Sequence, residues 1–137
     1  MPKYQKGEFG TIYPQFERKG KEAILHLIKT KEGECTKALY RKDIGFIDIV
    51  WGENDKNDKG YGLKHIIEKH GLVINNFYVS DFIPIVVEFG EFNQKKSDTN
   101  KKVYESDTFR FVIAINSKKD KRWLLTAFDL IEKPAKK

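Results

Sequence analysis

From residue 13 to about residue 31, apolar positions Phe16, Ala23, Ile24, Leu27 and Ile28 recur at helical spacing. The pattern predicts one amphipathic helix that ends before Gly33. His26 falls inside it, beside Leu25 and Leu27, and is expected to be structural. Residues 34–41 alternate loosely through Cys35, Lys37 and Leu39, and the strongly β-prone run at 46–51 follows an Asp43-Ile44-Gly45 turn. Two strands joined by a tight turn are expected there. Residues 52–62 read GENDKNDKGYG, a composition typical of a loop. Its acids alternate with lysines and no bidentate glutamate closes it, so it does not make a calcium loop.

Residues 63–70 predict a short helix stopped by Gly71. A second helix covers part of 79–89, with Pro84 limiting its first turns or kinking it. Residues 91–102 are polar and charged and read as a long surface loop. Three β-rich runs follow at 103–106, 109–116 and 122–130, separated by short polar turns, which predicts an antiparallel meander. The expected fold class is α+β, with N-terminal and central helices packed on one face of a mainly antiparallel sheet of about five strands. One domain is expected over residues 1–137, with an ordered core over about 7–132 and a lysine-rich C-terminal tail.

Composition narrows the classes. Ten Phe, six Tyr and two Trp supply too much aromatic surface for a disordered chain. No apolar run approaches the roughly 20 residues that span a bilayer, and residues 1–10 lack a signal-peptide core, so no membrane is expected as a partner. Cys35 is the only cysteine, which excludes an intrachain disulfide and a multi-cysteine zinc site and makes a cytoplasmic setting the expectation. The formal net charge is +6. Residues 93–137 carry 12 basic and 6 acidic groups, while the first 92 residues balance. If the meander's turns meet on one side, their lysines merge into one basic rim suited to a polyanion.

The densest candidate for chemistry is Gly60-Tyr61-Gly62-Leu63-Lys64-His65-Ile66-Ile67-Glu68-Lys69-His70-Gly71. On a helix, Leu63, Ile66, Ile67 and His70 share one face, so His70 points at whatever the helix packs on. His65 lies on the flank near Lys64 and Lys69. That spacing does not unite both rings on one metal, and no metal or other cofactor is expected. The glycines before the helix would suit an anion, although G-x-G alone is a weak signal. In the meander, strict alternation sets Arg110 on a strand interior with Val112 and Ala114, and sets Leu124, Thr126 and Phe128 opposite Trp123 and Leu125. Arg110 either pairs locally or clamps a phosphate, and the Thr126 hydroxyl is either satisfied locally or aimed at a ligand.

The segments IDIVWG at 47–52, GLKHIIEKHG at 62–71, FRFVIAI at 109–115 and WLLTAF at 123–128 resemble the phage-associated nuclease-like domains of the barnase, EndoU, colicin and RelE superfamily. The openings GEFGTIYPQFERKGKEAI and GECTKALYRKDIGFIDIVWG are similar to a domain of large phage-derived polyvalent proteins. The resemblance covers most of residues 7–130. It implies N-terminal helices before an antiparallel sheet whose concave face holds the site, and it implies metal-independent endoribonuclease activity by attack of the 2′-hydroxyl. It gathers His65 or His70, Arg110 and Thr126 around one site.

No glutamate stands out in a sheet position as a base, so His70 is expected as general base or acid and His65 as its partner or a phosphate contact. Arg110 is expected to meet transition-state charge and Thr126 a phosphate oxygen. Lys64, Lys69, Lys101, Lys102, Lys119, Lys121 and Arg122 are expected to bind the RNA backbone, and Trp123 or Tyr61 to stack a base. RNA is the expected partner, with an immunity or antitoxin protein as a second. The alternative reading is a catalytically inactive RNA- or protein-binding module on the same fold.

Overall fold

The computed structural model describes residues 5–57, 59–74 and 76–130. The expected lysine-rich tail lies outside the described residues. The main sheet has six strands: β1 (Glu34–Arg41), β2 (Gly45–Val50), β3 (Glu91–Asn93), β4 (Lys101–Glu105), β5 (Phe109–Asn116) and β6 (Lys121–Asp129). Their spatial order is β1-β2-β6-β5-β4-β3. Neighbours run antiparallel except β2 and β6, which meet in parallel through the single pair Trp123 and Asp48. The fold is α+β, as the pattern predicts.

The sheet has six strands where about five were expected, because the segment read as a long loop contributes β3 at the edge. Three mostly exposed residues carry no alternation to read, and a short charged edge strand is what limits unwanted pairing. The loop at 52–62 also folds, into a ribbon of Glu53–Asn54 with Gly60–Tyr61. Asp55 Oδ1 closes that turn by accepting from the Asn57 and Lys59 N–H groups at 2.8 and 3.0 Å.

Helix α1 spans Gly20–Thr30, starting later than the periodicity from residue 13 suggests. Pro14–Phe16 forms a separate 3₁₀ turn, and Arg18 is left-handed (φ 58°) with its N–H bonded to the Lys37 carbonyl. That bond and the left-handed Arg18 hold the segment off the helix axis. Helix α2 spans Gly62–His70 and ends at Gly71 (φ 95°), as expected. Helix α3 spans Val79–Phe89 with Pro84 inside it. Arg41 Nη1 donates to the Val87 and Gly90 carbonyls at 2.6 and 2.8 Å, fixing the end of α3.

One core joins the elements. Ala23, Ile24 and Leu27 of α1, Leu63 and Ile66 of α2, and Phe82, Ile83 and Val86 of α3 bury against Ile47, Ile49, Phe111, Ile113, Leu124 and Ala127. Burying each of the Leu, Ile, Val and Phe side chains stabilises by about 1.5–3 kcal/mol.

The register of β5 and β6 breaks strict alternation. Val112 pairs with Thr126, but Ile113 pairs with Leu124, so Leu125 is a bulge. Leu124 and Ala127 therefore both face the core, opposite Ile113 and Phe111. Thr126 and Phe128 share the far face with Trp123, Arg110, Val112 and Ala114, instead of opposing Trp123. One extra residue reverses the phase, as expected where side chains alternate with period two.

Candidate active site

Two side chains, His70 and Arg110, meet at the Phe128 ring on that far face, and Glu105 joins them through Arg110. His70, the last residue of α2, stacks on the ring at 5.2 Å between centroids and 19° between planes. Arg110 stands opposite Phe128 in the β5–β6 register, with its guanidinium carbon 5.9 Å from the ring centroid. Across the other neighbour, Arg110 pairs with Glu105, and its Nε donates to Glu105 Oε2 at 2.7 Å. Asn93 Nδ2 donates to the other carboxylate oxygen at 2.6 Å. The Arg110 and Asn93 bonds hold the Glu105 carboxyl below the usual carboxylate range, against a small opposing effect of burial. Lys96 Nζ lies 3.8 Å from Glu105.

Glu105 is the residue sequence reasoning missed. The structure corrects the expectation that no glutamate takes a suitable sheet position. The signal was present: residues 105 and 110 flank the short turn between two strands, and cross-strand partners of opposite charge are favoured. A cavity of about 480 Å³ opens beside Glu105 and Asn93, lined also by Gln94, Lys95 and Ser106.

His65 is buried, not on the helix flank. Its Nδ1 lies 2.8 Å from Asn54 Oδ1, and Asn54 gives its amide N–H to Glu68 at 3.1 Å. With the Asn54 oxygen facing the ring, Nδ1 is the donor in that bond. The two imidazole centroids are 6.4 Å apart and perpendicular. Thr126 is on the same face as Phe128, and its hydroxyl is buried without a hydrogen-bond partner among the described residues.

The expected anion site at the start of α2 is not built. The Lys64 N–H donates to the Trp51 carbonyl at 2.8 Å, and Gly62 (φ 81°) packs against the Val50 and Trp51 carbonyl oxygens. Carbonyl oxygens, not vacant amides, face that helix end.

The cationic residues divide between the two ends of the sheet and do not merge into one rim. Lys101 pairs with Ala114 and Asn116 with Lys121, which sets Lys101, Lys119, Lys121 and Arg122 at the end far from Glu105. Lys102 faces the other side, with Nζ 5.4 Å from the Phe92 ring centroid. Lys121 is committed to two carboxylates, Glu34 and Asp48, which are 1% and 11% exposed. Burial pushes its ammonium down, but those two bonds outweigh it and hold its pKa above the ordinary value. Arg122 bonds Asp120 at 2.9 Å. Trp123 and Tyr61 are each in contact with Phe9. Lys69 is exposed on α2 and Lys64 half-buried. Burial, then Glu34 and Asp48, push the Cys35 thiol up to about 12, so it is inert at neutral pH.

Among the described residues no three of His, Cys, Asp and Glu gather as a metal-binding group, and no helix is long and apolar enough to cross a membrane. No curated protein and no solved structure matches the chain. The profile of one known family, described as phage-Barnase-EndoU-ColicinE5/D-RelE like nuclease1, matches residues 38–134. That span takes in five strands of the sheet whole and the second half of β1, both of the helices α2 and α3, and His70, Glu105, Arg110 and Phe128. The chain belongs to this phage nuclease-like family.

Proposed function

We propose that this protein is an endoribonuclease whose Phe128 end cleaves RNA by transesterification through the 2′-hydroxyl, by a route that needs no metal. The observation that carries the reading is the Phe128 ring, with His70 on it and Arg110 beside it in a salt bridge to Glu105. Membership of a nuclease family points to a nucleic-acid substrate. These side chains match the demands of the reaction. The 2′-hydroxyl gives up a proton as its oxygen attacks phosphorus, the 5′-oxygen leaves with a proton, and negative charge builds on the phosphorane between.

Glu105, charged at neutral pH, accepts the 2′-hydroxyl proton. His70 gives the proton to the 5′-oxygen, since histidine is the side chain that exchanges protons near neutral pH. Arg110 offers its remaining N–H groups to the phosphorane oxygens. Thr126 donates its unpartnered hydroxyl to a phosphate oxygen. His65 acts through α2, anchoring it to Asn54.

Incubating the protein with single-stranded RNA in excess EDTA tests the reading. Products ending in a 2′,3′-cyclic phosphate are expected, with no cut at a position carrying a 2′-deoxyribose. Uncut RNA that is nevertheless bound in a salt-dependent manner would instead assign the fold to a binding module. A toxin role carries its own expectation: cells tolerate His70→Ala but not the parent unless an inhibitory partner is co-expressed.

A further inference from the structure

The far face of β6 carries a second aromatic platform at Trp123, about 16 Å along the strand from Phe128. A segment of the same chain, residues 6–11, occupies it. Lys6–Gly7 and Gly10–Thr11 form a two-stranded ribbon with Glu8 and Phe9 at its tip. The Phe9 ring sits 5.1 Å from Trp123 and 5.8 Å from Tyr61, measured between centroids, and Lys121 Nζ is 5.7 Å from its centre. The Glu8 carboxylate lies 3.6 Å from Lys119 Nζ. One planar ring thus packs between two aromatics, tilted by 52° to Trp123 and edge-on at 63° to Tyr61, and the adjacent residue sets an anion on a lysine. A nucleotide would present the same pair of groups, a base for the platform and a phosphate for the cation.

We infer that the seat of Phe9 is a nucleobase subsite for single-stranded RNA, and that Glu8-Phe9 fills it in the free protein as a stand-in for phosphate and base. The inference rests on the RNA-cleaving reading above, since it places a further stretch of the same strand on the same sheet face. The build of the ribbon allows exchange. Its strands are two residues each and lie outside the main sheet, joined to the β1 edge only by the bridge of Ile12 to Glu34 just past the second strand, and an isolated ribbon of that size is marginally stable. Its base is tied down separately, by the Thr11 N–H to Glu32 at 3.0 Å and by the Tyr13 N–H to the Glu34 carbonyl at 2.8 Å. The tip can leave without releasing those anchors. The Glu8 and Lys119 side chains are 48% and 65% exposed, so the ion pair that docks the tip is screened and weak.

Fluorescence anisotropy with a labelled, uncleavable 2′-O-methyl single strand of about 12 nucleotides separates the outcomes. Phe9→Ala is expected to bind about tenfold more tightly than the parent, since the base no longer competes with the Phe9 ring for the Trp123 platform. Glu8→Gln, which leaves the ribbon's packing alone, is expected to gain about two- to threefold. In a Trp123→Ala background, Phe9→Ala is expected to gain nothing. If the parent binds and both single variants bind equally or more weakly, or if the gain survives without Trp123, the subsite is wrong while the RNA reading stands. If neither parent nor variants bind, the RNA reading fails and takes the subsite with it.

Discussion

The two ends of β6 hold the same kinds of groups in opposite arrangements. At the Phe128 end, Arg110 meets one carboxylate, Glu105, and both side chains are about a quarter exposed. At the Lys121 end, one ammonium meets two carboxylates that water scarcely reaches. The first arrangement leaves guanidinium donors and a carboxylate edge within reach of a substrate. The second satisfies its own charges and serves to hold β1, β2 and β6 together. Counting lysines and arginines along the chain does not separate the two, because the difference lies in how many buried acids each cation already serves.

The largest effect that should break this comparison is Lys121→Met. It strands Glu34 and Asp48 in the interior without a counter-charge, and should cost about 3–5 kcal/mol of stability in urea titration. A loss under about 1 kcal/mol would show that the triad is not structural. Arg110→Ala should do the reverse, lowering kcat by about 10²–10³-fold, as removal of a transition-state donor does, with a much smaller change in the unfolding midpoint.

Stability measured across pH sharpens the contrast. Lys121 has a raised pKa, so its contribution is complete below the unfolded value near 10.4 and is lost as pH rises through the higher folded value. Glu105 has a lowered pKa, so its contribution is complete above the unfolded value near 4.3 and is lost as pH falls through the lower folded value. Lys121→Met should therefore flatten the alkaline limb and Glu105→Gln the acid limb. The same limb flattened by both variants would undo the distinction. The smallest effect is expected at Thr126. Its hydroxyl is buried without a partner among the described residues, so Thr126→Val should be neutral or gain up to about 1 kcal/mol, while cleavage slows.

Much of the fold was legible because the relevant segments follow one periodicity. The α2 segment shows its apolar face and its Gly71 stop, and the meander shows strands bounded by polar turns. What stayed hidden was set by backbone events with little side-chain signature. The Leu125 bulge reverses the phase of β6, so alternation alone put Thr126 and Phe128 on the side away from Trp123. The β3 edge strand is too short and polar to display a pattern. At the candidate site, residue type and position singled out His70, Arg110 and Thr126, and the structure brings His70 and Arg110 to one ring. His65 was misplaced because helix geometry alone does not foresee the Asn54 ribbon that covers it. Glu105 was missed because its role comes from cross-strand pairing with Arg110, not from any motif in its own segment.

The central claim is that the Phe128 end does the chemistry, and single-turnover cleavage of a defined RNA by the parent and by His70→Ala tests it most directly. The account predicts that His70→Ala retains the parent's RNA affinity within a few-fold and loses about 10²–10⁴-fold in the cleavage step, the range for one proton-transfer group. Cleavage by His70→Ala at the parent's rate would contradict it.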